Sequence, residues 1–314
     1  SRRRHTRYIS VTGVQTCALP IWSDRRVEPY APLKMDPGAS VLHYAQECFE
    51  GLKAYRHADG STWLFRPDAN AERFQNSAKR LYLPELPIDD FLGSVAALVK
   101  RDANWVPSRR EYTLYMRPFM FASEPFLGVR APQEVDYCVI ASPSGPYFPG
   151  GVKPVSIWVE DKWFRTGPGG TGFAKCGGNY AASLLGEYKG VENGCEQVCF
   201  VDAATKTYLE ELGGMNMMAV HKDGHVETPS LTGTGLYKEQ IIIHQEPCTN
   251  FYQIESIEYS VEEGDGVKEA GTGPDKSTYK NENLGNTTDK HDYYPFINKW
   301  TEYAFIPEIG RAHV

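Results

Sequence analysis

Long apolar runs are missing from this chain. No stretch approaches the roughly 18 residues that a membrane-spanning helix needs, so no membrane partner is expected. An excess of basic residues is missing too: 33 Lys and Arg stand against 40 Asp and Glu, a formal net charge of −7. That balance argues against nucleic acid or an acidic membrane surface held by bulk charge. Cysteine is sparse. Seven are scattered over 314 residues, and no CxxC pair occurs, because the closest two, Cys195 and Cys199, are four apart. A disulfide scaffold is therefore excluded, and a reducing, cytoplasmic setting with free thiols is expected. What is present is ordinary for a globular protein. Hydrophobic residues make up 41% and charged residues 23%, which rules out wholesale disorder. At roughly 150 residues per domain the length predicts about two domains, and 29 Gly with 21 Pro predict many loops.

The two ends read as foreign. The Arg-rich start lacks the apolar core of a secretory signal. VTGVQTCALPI (Val11–Ile21) instead resembles a translated short-read sequencing adapter. TCALPI can be written ACG TGT GCT CTT CCG ATC. Its reverse complement, read one base on, gives Ile-Gly-Arg-Ala-His and the start of Val, which is Ile309–Val314. Residues 1–21 and 308–314 are therefore expected to be artefact.

Between the ends, patterning predicts alternating elements. VLHYAQE, GLKAYR and STWLFR read as three strands, the last two joined by a turn at Ala58-Asp59-Gly60. Asp68 is expected to cap a helix to about Leu81, with Phe74, Ala78 and Leu81 on one face. A second helix starts at Asp89 or Asp90 and turns Phe91, Val95, Leu98 and Val99 inward. EYTLYMRPFMFA and EVDYCVIAS read as strands, and SPSGPYFPGG (Ser142–Gly151) as a linker between two α/β units. Then come a strand at KPVSIWVE, a helix over Asn179–Lys189, a strand at EQVCFVDA and an antiparallel group from KTYLEEL onward, with a turn at Lys222-Asp223-Gly224. Past Gly235 the texture changes, and residues 264–292 have almost nothing to bury, so they read as loop or disorder.

Chemistry concentrates in TGPGGTGFAKCGGNYAASLLGEY (Thr166–Tyr188), where Lys175 sits among glycines just before an apolar helix. A phosphate loop needs Gly before the lysine and Ser or Thr after it; Ala174 and Cys176 stand there instead. GPGGTG matches a dinucleotide loop literally, but Asp161–Arg165 separates it from the preceding strand. Two readings remain open on the residues alone. Lys175 is a Schiff-base lysine, its amine freed by burial among small residues, or it is a solvated lysine on a glycine-rich surface loop. Under the first reading Tyr180, five residues on, can return toward Lys175, and the pair Glu210-Glu211 offers a carboxylate to a pyridine nitrogen. His221 and His225 straddle a turn with no carboxylate at ligand spacing; with His43 they read as exposed histidines, so no metal is expected. Cys176 reads as a small packing residue.

Val27–Gly235 resembles the branched-chain amino-acid aminotransferases, fold-type IV enzymes that use pyridoxal 5′-phosphate. The strings are HYAQECFEGLKAYR, LFRPDANAERFQNSAKRLYLP, YMRPFMFASEPFLGVRAP, GPYFPGGVKPVS, GGTGFAKCGGNYAASL and LEELGGMN. The resemblance implies a two-domain α/β (α+β) fold. It implies that Lys175 forms the Schiff base and moves the α-proton, and that Tyr180 bonds the phenolic oxygen of the cofactor. Glu211, with Glu210 as fallback, would hold its ring nitrogen, and Arg73 its phosphate. Phe49, Tyr44, Tyr115, Arg117 and Tyr147 would line a substrate pocket that accepts leucine, isoleucine and valine, and also glutamate for exchange with 2-oxoglutarate. A homodimer or higher homo-oligomer is implied. D-amino-acid aminotransferases and aminodeoxychorismate lyases share the fold, but the first and fourth strings argue against both.

The pattern breaks after Thr234: the phosphate-binding turn expected next is absent, and AGTGPDKS (Ala270–Ser277) replaces a later glycine-rich loop poorly. The layout expected is a small domain over 22–142, a linker over 143–152, and a partial cofactor domain over 153–235. Residues 236–307 are left as a frameshifted or chimaeric segment. The alternative reading for the whole polypeptide is an impaired or non-folding fragment.

Overall fold

The computed structural model describes residues 22, 25–146 and 153–229, with the short segments 236–237, 251–254, 257, 262–263 and 303–305. Residues 1–21, 264–292 and 308–314 lie outside these, as do Tyr147 and the join near Gly235.

The first unit begins with β1 (Arg26–Pro29), α1 (Ser40–Tyr44), β2 (Glu47–Phe49), β3 (Leu52–Arg56) and β4 (Thr62–Phe65). The strand expected over Val41–Glu47 is corrected: its first half is the helical turn α1, and only Glu47–Phe49 is extended. Five residues fit either periodicity, and here a tertiary anchor decides. Ser40 Oγ donates to the Phe126 carbonyl at 2.8 Å, and Ala45, left-handed at φ 49°, closes the turn onto Val41. The β3–β4 turn at Gly60 is as predicted, with His57 N–H donating to Ser61.

Next come α2 (Pro67–Arg80), α3 (Ile88–Arg101), β5 (Thr113–Ala122) and β6 (Val135–Ser144). Asp68 is not the cap of α2. The helix starts at Pro67, whose fixed φ suits the first helical position, and Asp68 lies in the first turn, where a carboxylate complements the helix dipole. The inward residues are those the periodicity predicts: Phe74, Ala78, Phe91, Val95, Leu98 and Val99 are buried against the sheet, while Leu81, which closes α2 rather than lying in it, packs partly buried against the same core. Leu114, Met116 and Met120 of β5 meet them, while Tyr115, Arg117 and Phe119 alternate onto the opposite face. β6 runs through Ser144, opposite Thr113, so Pro143 and Ser144 belong to the sheet rather than to a linker.

The second unit holds β7 (Ile157–Glu160), α4 (Gly177–Glu192), β8 (Gln197–Val201), β9 (Leu209–Leu212), β10 (Ala219–Val220) and β11 (Val226–Pro229). β7 and β8 are parallel, and α4 is the crossover between them. β9 pairs antiparallel with β8, and β10 with β11 across the predicted turn at Gly224. The short strands β12 (Leu236–Tyr237), β13 (Phe251–Gln253), β14 (Glu262–Glu263) and β15 (Tyr303–Phe305) complete the described residues. β13 joins the first unit's sheet at β4, and β15 lies between β6 and β1. Among the described residues no helix is long and apolar enough to cross a membrane.

Candidate active site

Lys175 lies where three elements converge. Its carbonyl accepts from the Phe49 N–H at the end of β2 at 3.0 Å. Its N–H donates to Ser77 Oγ of α2 at 2.9 Å, and two residues on, the Gly177 N–H donates to Glu47. Arg80 reaches from the end of α2 to the carbonyl of Gly169 at 3.0 Å. The preceding loop is tied from within by Asn179, which is buried and fully engaged: Nδ2 donates to Ala174 at 2.7 Å and to Thr171 at 2.8 Å, while Oδ1 accepts from Thr171 Oγ1 at 2.7 Å. The glycine-rich segment is thus a fixed loop clamped by the first unit, which removes the reading of a free surface loop.

The lysine side chain is half-buried. It is not enclosed by small residues, as the sequence suggested; its neighbours are rings. Nζ donates to the Tyr180 hydroxyl at 2.7 Å, and lies 4.9 Å from the Phe49 ring centre and 5.0 Å from that of Tyr180. The five-residue spacing places Tyr180 on the first turn of α4, facing back toward Lys175.

This lysine lines a cavity of about 290 Å³, shared with Tyr180, Arg73, Arg165, Glu210 and Glu211. That is near the lower end of small-molecule sites, roughly 300–1,000 Å³. Glu210 and Glu211 alternate on β9 and have different surroundings. Glu211 Oε2 accepts from Arg165 Nη1 at 2.7 Å. Burial holds its pKa above the ordinary carboxylate value, and the charges of Arg165 and Lys175 offset only part of that rise. Glu210 is 4% exposed, and its Oε1 has no hydrogen-bond partner. Burial, with the like charges of Asp202 and Glu211, pushes its pKa up to about 7. The Lys175 charge acts on Glu211, which with Glu210 lines the cavity.

Arg73 enters the cavity already held. Its Nε donates to Glu50 Oε1 at 2.5 Å and its Nη2 to Glu50 Oε2 at 2.8 Å. Glu50 is fully buried, and Asn70 Nδ2 donates to the same Oε2 at 2.8 Å. This bidentate pair fixes the guanidinium plane and leaves the Nη1 edge without a partner among the described residues.

Three of the five expected pocket residues stand together. The Phe49 and Tyr180 ring centres are 5.1 Å apart, the Arg117 guanidinium carbon lies 4.5 Å over Phe49, and Arg117 Nη2 donates to the Tyr115 hydroxyl at 2.8 Å. Gly51 makes room for this: a Cβ there would meet the Tyr115 hydroxyl. Arg117 Nε is buried without a partner. Tyr44 stands apart on α1, exposed, with its hydroxyl donating to the Leu127 carbonyl. Tyr147 lies outside the described residues.

Arg165, Glu50, Ser77 and Asn179 are functional neighbours that the sequence does not single out. Asn179 in GGNY and Arg165 at the end of the segment that reads as a spacer are visible as residues. Their roles depend on contacts with β9 and the loop, which no local pattern encodes.

The turn histidines are exposed as expected, but the expectation that no carboxylate lies at ligand spacing is corrected. Glu227, across the β10–β11 hairpin, reaches both His221 and His225, and Asp223 reaches His225. His43 is elsewhere, on the Pro37 carbonyl.

The family model for amino-transferase class IV matches residues 47–260, running past the point where the motif strings end. Branched-chain-amino-acid aminotransferase of Mycobacterium tuberculosis is 54% identical over 217 residues, 68% of this chain and 59% of that protein. Branched-chain-amino-acid transaminase 1 of Bacillus subtilis is 46% identical over 214 residues, 68% of this chain and 60% of its own length. The chain thus spans about 59–60% of these curated relatives. A crystal structure of the Escherichia coli branched-chain amino acid aminotransferase aligns at a TM-score of 0.52 with 26% identity, covering 64% of each chain. A crystal structure of a further branched-chain amino acid aminotransferase, from T.th. and with pyridoxamine 5′-phosphate, aligns at a TM-score of 0.55 with 26% identity, covering 68% of this chain and 70% of that one. With a family match over more than half its length, and with the clamped lysine and tyrosine at the head of α4, this chain belongs to the class IV aminotransferases.

Proposed function

We propose that the chain is a pyridoxal 5′-phosphate transaminase for leucine, isoleucine and valine, with 2-oxoglutarate as amino acceptor. The observation that carries this reading is the 2.7 Å contact from Lys175 Nζ to the Tyr180 hydroxyl, made inside a cavity that also presents Glu211. The residues present fit the cofactor. An amine for an aldehyde carbon, a phenol beside it, a carboxylate for a ring nitrogen and a cation for a phosphate all open onto one space. Bound there, the cofactor supplies an aldehyde to carry the amino group and a ring that withdraws electrons. Lys175, Tyr180, Glu211 and Arg73 would hold it.

The remaining chemistry belongs to the chain itself. Lys175 Nζ is the base placed to take a proton from the substrate's α-carbon and return it, and the Tyr180 hydroxyl orients that nitrogen. The charge on Arg165 favours the ionised form of Glu211, which a protonated ring nitrogen requires. Phe49 offers an apolar wall to a branched side chain, while Arg117 and Tyr115 beside it offer donors to the second carboxylate of glutamate. The relatives named above, at 46 and 54% identity, support the branched-chain substrate class over the D-amino-acid aminotransferases and the lyases. A cytoplasmic homodimer or higher homo-oligomer is part of the proposal. Its support is the exposed apolar set of Leu42, Leu127 and Val129 around Tyr44, at 58, 63 and 86% exposure.

The test is to add pyridoxal phosphate to the purified chain, reduce with borohydride and map the modified lysine, then assay leucine with 2-oxoglutarate. Modification at Lys175 with formation of glutamate is the expected result. Modification of a different lysine would overturn the assignment.

A further inference from the structure

The β10–β11 hairpin gathers a second group of chemistry-bearing side chains, which the transaminase reading does not use. His221 Nε2 lies 3.1 Å from Glu227 Oε2, and His225 Nε2 lies 3.5 Å from Glu227 Oε1. One ligating atom from each of the three residues falls within 4.8 Å of the others. The two imidazoles stack with ring centres 3.9 Å apart and planes 12° from parallel, which brings both Nε2 atoms to the same carboxylate.

The hairpin holds this arrangement by its own backbone. His221 N–H donates to the His225 carbonyl at 2.9 Å and Gly224 N–H to the His221 carbonyl at 3.0 Å, with Gly224 at φ +89°. Asp223, inside the turn, lies 2.5 Å from His225 Nδ1. A carboxylate at Nδ1 takes the N–H of that nitrogen and leaves Nε2 with its lone pair free, as in the carboxylate–histidine pairs that orient metal ligands.

We propose that His221, His225 and Glu227 form a three-ligand site for one divalent cation of the zinc class, with water completing the coordination and Asp223 as a positioning residue. The geometry suits such an ion. Ligands about 2.0–2.2 Å from Zn²⁺ at tetrahedral corners lie about 3.3–3.6 Å from one another. The two His–Glu separations, 3.1 and 3.5 Å, fall just below and within that range; the imidazoles, stacked 12° from parallel, must turn about χ2 for both in-plane lone pairs to converge on one ion. Two neutral imidazoles and one carboxylate are also the donors that zinc and its neighbours in the transition series prefer over calcium or magnesium. Glu227 lies on β11, and that strand ends at Pro229 in the wall of the lysine cavity, so an ion here would stiffen one side of the proposed active site.

The test uses the full chain without added cofactor. Calorimetric titration with Zn²⁺ reads stoichiometry and affinity, and the visible spectrum with Co²⁺ reads tetrahedral coordination. One ion per chain is expected. His221→Ala and Glu227→Gln should each remove that binding, and Asp223→Asn should weaken it by about 10- to 100-fold, the usual cost of losing a group that orients a ligand. Glu227→Gln changes size little, and because the Glu227 side chain is only 13% exposed, its melting temperature without metal is compared with the parent's to separate lost binding from lost folding; His221→Ala, at a more exposed position, makes the same comparison independently. The proposal is overturned if the parent chain binds no ion. It is equally overturned if His221→Ala and Glu227→Gln bind as the parent does, which would place the metal elsewhere, for instance on Cys195.

Discussion

Arg165 Nη1 donates to Glu211 Oε2 at 2.7 Å, and this one contact gives two adjacent carboxylates different surroundings. Arg165 is itself buried, and its guanidinium carbon lies 5.4 Å over the Tyr180 ring. Glu211 therefore enters the cavity with an arginine offsetting part of its burial, whereas Glu210 is buried with an unpartnered oxygen. Glu211→Gln, nearly the same size but uncharged, should lower turnover by at least about 100-fold, the scale of losing one preorganised electrostatic group. Cofactor affinity should fall far less. Steady-state rates beside cofactor titrations check this for both positions. The opposite pattern, with Glu210→Gln crippled and Glu211→Gln active, would transfer the role to Glu210.

Lys175 is fixed through its backbone as well as its side chain, so its replacement should be cleanly local. Lys175→Ala should lose the borohydride-stable adduct, and its transamination should drop by more than the roughly 10²- to 10⁴-fold typical of a general acid–base group, because attachment is lost along with proton transfer. Tyr180→Phe keeps the ring contact with Phe49 and removes only the hydroxyl 2.7 Å from Nζ. It should retain the adduct and lose part of the rate. Mass mapping after reduction distinguishes the two variants.

Arg117 should divide the two substrates. Its Nε is buried and unpartnered, and its Nη2 already holds the Tyr115 hydroxyl. Only glutamate brings a second carboxylate, and leaving that group unpaired costs about 1–3 kcal/mol or more. Arg117→Met should therefore slow the half-reaction with glutamate at least tenfold more than that with leucine in single-turnover measurements. Equal losses would make the arginine a purely structural part of the β5 face.

How far the site is legible in the sequence follows from where its information lies. Lys175, Tyr180 and Glu211 sit in strings whose local geometry, a loop, a first helical turn and a strand, is legible, but the loop reaches the cavity through clamps from Ser77, Phe49 and Glu47 that no local pattern shows. Phe49, Tyr115 and Arg117 follow from strand alternation once β2 and β5 are paired. The Glu50–Arg73 clamp is not legible, because the apolar pattern around Glu50 gives no hint that a carboxylate is fully buried there beside an arginine from another element. The turn α1 departs from its expected strand for a similar reason: its conformation is decided by Ser40 bonding the Phe126 carbonyl, a contact 86 residues away. The hairpin histidines fall at their expected turn, yet their carboxylate partner lies across the β10–β11 pair and appears only with the register Val220↔Val226.

Glu210 gives the fold a pH dependence. Its pKa stands at about 7 against an ordinary value of 4.5, so the folded chain binds this proton more tightly than the unfolded chain does. The stabilisation is fully present below pH 4.5 and declines as pH rises toward about 7. At roughly 1.4 kcal/mol per unit, the total is on the order of 3 kcal/mol. Urea unfolding at pH 5 and pH 8 should show the parent losing stability as pH rises. Glu210→Gln, which cannot ionise, should flatten that loss. A parent whose stability climbs over the same interval would show that Glu210 is solvated and ionised in the folded chain.

The spacing of α4 on β8 can be tested by two glycines of one helix. Alanine is favoured over glycine inside a helix by about 1 kcal/mol, so each change to alanine begins with a gain. At Gly178 a Cβ would meet nothing within 4 Å. At Gly186 it would lie 2.6 Å from Phe200 Cε1 and 2.9 Å from its Cζ. Phe200 is fully buried and cannot swing away, and the added carbon would also press on Glu160 Cγ at 3.3 Å. Relief requires α4 to lift from the β7–β8 pair, and overpacking of this kind costs about 1–3 kcal/mol. Gly178→Ala should therefore raise the unfolding midpoint slightly, while Gly186→Ala should lower it despite the same gain in helix propensity. Because α4 begins two residues after Lys175, the displaced helix in Gly186→Ala should also move Tyr180 and weaken borohydride labelling at Lys175. If both alanines stabilise the chain and labelling is unchanged, then α4 is not held on Phe200 as closely as the geometry states.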